Sequence, residues 1–138
     1  MRTIKFRGKS EDNSEWFYGF LQKYQEKYAS RLCVCAVSVR TWKDVLLYSV
    51  KPDTVGQFTG LFDKNGKEIF EGDVVKWSNG LMYAVKFWDG MFYASVEECN
   101  EGILGGFPLH RLTEHEDGKC EIVGNIFDNP ELMKGGEK

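Results

Sequence analysis

The chain has 138 residues, 42% of them hydrophobic and 28% charged, and a formal net charge of −3. That is ordinary globular composition, enough to bury roughly two thirds of the unfolded surface, and it excludes an intrinsically disordered chain. No run approaches the ~18 consecutive apolar residues of a membrane span, and the start, Met1 to Arg7, lacks an apolar signal segment, so a cytoplasmic location is expected.

Frequent aromatic residues and fifteen Gly against three Pro favour strands joined by tight turns. Ile4-Lys5-Phe6-Arg7 alternates apolar and basic residues before Gly8, the pattern of a short strand. The polar stretch Ser10 to Glu15 reads as a loop, and Trp16-Phe17-Tyr18-Gly19-Phe20-Leu21 has strand composition, which together predict a hairpin. Residues 20–32 allow two readings. Phe20, Tyr24, Tyr28 and Leu32 recur every fourth position, as on one stripe of a short helix; the alternative is a strand end followed by a long polar loop. Leu32 to Val39 is short, apolar and rich in valine, as expected of a central strand buried on both faces. Val45 to Val50 is a further apolar run, ended at Lys51-Pro52-Asp53, where proline disfavours helix in the residue before it.

Asn65-Gly66 lies between apolar runs and predicts a hairpin, since both central positions of a type I′ turn require positive φ. Asp89-Gly90 predicts a second, whose register follows by counting outward. Phe87 then faces Phe92, Val85 faces Ala94 and Tyr83 faces Val96 on the core side, while Trp88 faces Met91 and Lys86 faces Tyr93 on the other. Glu101 to Pro108 reads as a glycine-rich loop and Glu114 to Gly118 as a charged turn. Glu121 to Phe127 should be the last strand, broken at Asn129-Pro130, with a mobile tail from Lys134.

Five segments, taken in order, resemble one family, the YopX proteins of bacteriophages and prophages. They are Lys5-Phe6-Arg7-Gly8, Trp16-Phe17-Tyr18-Gly19, Val55 to Leu61, Asp63 to Val75, and Gly124 to Leu132. The resemblance implies a mainly β protein encoded by a phage or prophage, with little helix. Its C-terminal part would be antiparallel hairpins forming an SH3-like roll or barrel. On that reading, residues 1–54 are an N-terminal β segment packed on the main domain, residues 55–132 are the SH3-like domain, and residues 133–138 are the tail. The resemblance brings no reaction and no catalytic residues. Segments 20–54 and 97–118 do not match clearly.

The residues themselves point the same way. Cys33, Cys35, Cys99 and Cys120 are expected as reduced thiols; Cys33 and Cys35 sit inside an apolar run rather than at the C-x₂₋₄-C spacing of a zinc turn, so neither metal nor cofactor is expected. The only histidines, His110 and His115, lie in a loop region without a nucleophile motif, and Gly102, Gly105 and Gly106 match no phosphate-binding fingerprint. A non-enzymatic role is therefore expected.

Charge is unevenly divided. Residues 1–51 hold ten Lys or Arg against five Asp or Glu, net +5, and residues 52–138 hold eight against sixteen, net −8. The favoured expectation is a protein-interaction or self-associating module, with Trp77, Lys86, Trp88 and Tyr93 as the candidate patch. The alternative is nucleic-acid binding by the basic segment, through Lys5, Arg7, Lys9, Arg31, Arg40 and Lys43 beside Trp16 and Trp42. No membrane partner is expected.

Overall fold

Alternating apolar and polar residues become antiparallel strands over much of the chain. The computed structural model describes residues 2–24, 34–40, 42–99, 102–104, 106–114 and 119–134. The chain divides into two compact units, 1–58 and 59–138, and two antiparallel sheets dominate.

The first unit contains β1 (Phe6–Lys9), β2 (Trp16–Tyr24), β3 (Val34–Arg40), β4 (Val45–Ser49), a 3-10 turn at Pro52–Thr54 and the start of β5 (Gly56–Phe62). The strand order is β4-β3-β2-β1-β5, each pair antiparallel. Gly8 does not end β1 but lies within it. A Cβ there would meet Val50 Cγ2 at 2.7 Å, inside the usual carbon–carbon separation, so glycine is what lets the fully buried Val50 pack against the strand. Phe17, Val39 and Val55 surround Val50, and the rings of Phe17 and Tyr48 stack with centroids 3.9 Å apart.

Residues 20–24 are strand, which removes the helical stripe at its first two members. They pair with β3 from Phe20 opposite Ser38 to Tyr24 opposite Val34. Aromatic side chains on a pleated surface beside a valine-rich partner override the chance period of four. Tyr28 and Leu32 lie outside the described residues. Of the strand expected over 32–39, residues 34–39 lie in β3, which is interior between β2 and β4, while β4 closes the sheet order; residues 32 and 33 lie outside the described residues.

The second unit takes the rest of β5, then β6 (Glu68–Phe70), β7 (Asp73–Lys76), β8 (Met82–Trp88), β9 (Met91–Ser95), β10 (Glu97–Cys99), β11 (Gly102–Leu104), β12 (Phe107–Pro108), α1 (Arg111–Glu114), β13 (Glu121–Asn125) and α2 (Glu131–Lys134). Strands β12-β9-β8-β7-β13 form a five-stranded sheet compatible with the expected SH3-like roll, and β10 pairs with β11. The core is Ile69, Val75, Tyr83, Val85, Ala94, Leu109, Leu112 and Cys120.

The turns show where local chemistry decides. Asp89 and Gly90 both have positive φ, 51° and 81°, and β8 meets β9 in the counted register from Val85 opposite Ala94 to Trp88 opposite Met91. The expected Tyr83–Val96 pair falls beyond the end of β9. Asn65-Gly66 does form a hairpin, but through a three-residue loop, because of the pair only Gly66 has positive φ. The buried Asp63 is the reason: its Oδ1 accepts the N–H of Asn65 and of Lys67, each at 2.9 Å, while its carbonyl accepts the N–H of Gly66 at 3.0 Å. These bonds favour a type I turn followed by a glycine bulge. Asn79-Gly80 closes the β7–β8 hairpin in the same way, with Trp77 N–H donating to the Leu81 carbonyl at 3.0 Å.

Three further expectations are corrected. Glu101 to Pro108 contains β11 and β12 rather than loop alone, and Phe107 is held edge-on against Tyr83, with centroids 5.1 Å apart. The last strand stops at Asn125, whose Oδ1 accepts the N–H groups of Phe127 and Asp128 and turns the chain. Lys134 belongs to α2; residues 135–138, like 115–118 of the expected charged turn, lie outside the described residues.

Candidate interaction surface

Period-two alternation sorts the first unit's sheet into two faces. Arg7 stands opposite Tyr18 and Lys9 opposite Trp16, so these four share a face with Phe20, two residues along β2. Lys5 lies just before β1, where its carbonyl accepts the Phe58 N–H at 2.8 Å. Phe6, Gly8 and Phe17 are on the other face, with Val50. Geometry binds the shared face together: the Arg7 guanidinium lies 4.7 Å from the Trp16 ring centroid and Lys5 Nζ 5.8 Å from that of Phe58. Arg7 is buried, Lys5, Lys9 and Trp16 are half-buried, and Tyr18 and Phe20 are exposed, Phe20 by 59%.

Of the other basic-segment candidates, Trp42 is 88% exposed before β4, with Lys43 Nζ 4.7 Å from its ring. Arg40 ends β3 opposite Val45. Arg31 lies outside the described residues. Tyr18 and Phe20 were not among the candidates, although the spacing Trp16-x-Tyr18-x-Phe20 places three aromatic side chains on one strand face.

The neighbouring edge has a different character. Strand β4 ends the sheet order, and its first three residues, Val45, Leu46 and Leu47, are all exposed. Successive strand residues point to opposite faces, so both faces of this edge are apolar and open to water. Among the described residues no strand pairs with its outer side.

In the second unit, Lys86 and Tyr93 are opposite one another, as are Trp88 and Met91, so Lys86, Trp88 and Tyr93 share a face at the hairpin tip. Tyr93 O–H lies 3.9 Å from Met91 Sδ. That face runs into the buried Ala84 and Ser95. Trp77 stands apart from the three: it packs on the core with its ring 6.0 Å from Phe107, and its Nε1 is buried with no hydrogen-bond partner among the described residues.

Cys120 is a free thiol, fully buried, and burial pushes it up to about 11, with the nearby negative Asp63 adding to the rise. Among the described residues no group of three His, Cys, Asp or Glu side chains is placed to hold a metal ion. His110 lies in the turn before α1, where its carbonyl accepts from Thr113 Oγ1 at 3.0 Å; His115 and Cys33 lie outside the described residues. No helix among the described residues is long and apolar enough to cross a membrane.

A family model described as YopX protein matches residues 5–134. The chain is also similar to a solved structure, protein EF1440 from Enterococcus faecalis, with a TM-score of 0.58 and 20% identity over 96% of this chain and 99% of that one. That likeness concerns the fold. No curated protein sequence matches the chain.

Proposed function

The chain belongs to the YopX family, and from that premise we propose that it is a phage- or prophage-encoded accessory protein of the bacterial cytoplasm that acts by protein interaction, without catalysing a reaction. Its partner on this reading is a second copy of the chain. The observation that carries it is the β4 edge, with Val45, Leu46 and Leu47 exposed in a strand that holds no charged residue. Edge strands of natural proteins are usually protected by charge, proline or a covering segment, because an open row of backbone groups templates pairing. An antiparallel copy would use the same patch on both chains, the isologous contact of a twofold dimer. It would also bring Asp44 of each chain toward the Lys51 end of the other. The five-stranded sheet of the second unit is read as an SH3-like roll, and the buried free thiol of Cys120 suits a reducing compartment.

Mass measured by light scattering over a wide concentration range tests the reading. The native chain should move from monomer toward dimer as concentration rises, and Leu47→Lys, which places a charge on the open edge, should remain monomeric. A native chain that is monomeric throughout removes self-association.

A further inference from the structure

We propose that the sheet face built by β1 and β2 binds single-stranded nucleic acid, a function separate from pairing at the β4 edge. The basis is a register. Lys9 stands opposite Trp16 and Arg7 opposite Tyr18, so at two successive positions a cation on one strand meets an aromatic ring on the next, and Phe20 follows two residues on along β2. All lie on one face. Phe20 and Tyr18 are exposed, while Arg7, buried and stacked 4.7 Å from Trp16, holds the indole in place as a positioning residue.

The spacing selects the ligand. Rungs two residues apart along a strand are separated by about 6.8 Å. Stacked bases on one strand of a duplex repeat at about 3.4 Å, so bases seated on successive rungs must be unstacked from one another, which a single strand permits and a duplex does not. Aromatic rings accept the faces of any base, and lysines track the phosphates, which is how sequence-tolerant single-strand sites work. Charge agrees with this assignment: residues 1–51 carry +5 in a chain whose total is −3. A protein partner would find the same rings, but the cations opposite Trp16 and Tyr18 fit a regularly charged polymer better than an apolar surface.

The experiment uses the full chain and fluorescence anisotropy of a labelled oligothymidine, with the matching oligouridine as a parallel arm and an unlabelled duplex as competitor. Binding should be measurable at ~50 mM salt and weaken as salt rises, by about 0.7 in log K per log salt for each phosphate neutralised. The double substitution Tyr18→Ser and Phe20→Ser changes only exposed side chains; it should weaken binding at least tenfold. Lys9→Gln should lower the salt slope by about 0.7. The duplex should compete poorly. Preference between the DNA and RNA arms assigns the natural polymer, and binding in either supports the proposal. Several results overturn it: no binding of either oligonucleotide at low salt, equal competition by duplex, or undiminished binding by the double variant with its circular dichroism spectrum unchanged. A double variant that alters only the protein's own mass in solution would assign the face to protein contact and also overturn it.

Discussion

In the second unit eight residues from four strands, the helix α1 and the segments just before α1 and β13 close into one buried cluster, whereas around Val50 in the first unit the surrounding apolar residues, Phe17, Val39 and Val55, are only partly covered. Both units also expose large apolar side chains, among them Tyr18, Phe20, Trp42, Val45, Leu46 and Leu47 in the first and Phe62, Leu81, Phe87, Trp88, Met91 and Val123 in the second. Aromatic and branched residues are abundant in both, so composition does not separate them. What differs, among the described residues, is how many side chains are enclosed together: eight in the second unit's cluster and Val50 alone in the first's. Burial of apolar area is what stabilises a fold, at roughly 25 cal/mol per Å²; residues left in water contribute little to that and are available for contact. Among the described residues the second unit has the larger enclosed core, while both units present apolar surface.

The largest effect should come from the buried cluster. Leu112, in the single turn of α1, is fully buried. Leu112→Ala should cost about 2–5 kcal/mol, as lost transfer energy and a cavity, and should lower the urea midpoint of the second unit. A cost below about 1 kcal/mol, the level of a surface change, would mean that α1 is dispensable to this core and that the contrast with the first unit is overstated.

Next is the thiol within the same cluster. Cys120 rises from an ordinary 9.0 to about 11 in the folded chain, because burial disfavours the thiolate and Asp63 opposes it further. The native state therefore keeps its proton over a range in which the unfolded chain has lost it. The stabilisation is complete below pH 9 and is lost as pH rises toward 11, at most about 2–3 kcal/mol. Unfolding followed at intervals through this window should show a decline specific to the second unit, and Cys120→Ala should flatten it. A native chain equally stable at both ends of the window would show that Cys120 is not as enclosed as Val85 or Leu109 beside it.

How much of this could be read from residues alone depends on turn length. Asp89-Gly90 is a two-residue turn, so counting outward places Lys86 opposite Tyr93 and Val85 opposite Ala94 without reference to anything distant. The loop before β2 offers no such ruler. It is tied by Asn13 Oδ1 accepting the Glu15 N–H and by Ser14 at φ 65°, geometry set by side chains rather than by length, and the pairing of Lys9 with Trp16 stays invisible in the sequence. The spacing of Trp16, Tyr18 and Phe20 shows that they share a face, but which cations stand opposite them does not follow from it. Asn65-Gly66 signals a hairpin, but the choice of loop belongs to Asp63, whose other oxygen accepts the Ile122 N–H at 3.1 Å from a residue far along the chain. Leu112 sits in a helix too short to show a period. Trp77 and Trp88 look alike in sequence; only the packing of Phe107 against Trp77 tells them apart.

The smallest expected effect on stability is at the β4 edge, and its smallness is informative. Leu47 is 53% exposed, opposite Ser38. Leu47→Thr keeps a branched, strand-favouring side chain and removes only apolar surface already in contact with water, so in dilute solution the first unit's stability should change by no more than about 0.5 kcal/mol. Repeating the unfolding at high protein concentration separates two origins of the same number. If the edge is covered by a second copy, the native chain gains stability with concentration by mass action and Leu47→Thr gains less, so the gap between them widens. A gap that is small and independent of concentration would leave the edge bare at every concentration tested and remove the second copy as its partner. A large gap already present in dilute solution would place Leu47 in the interior of the first unit, and the contrast between a large enclosed core in one unit and a small one in the other would fail at β4.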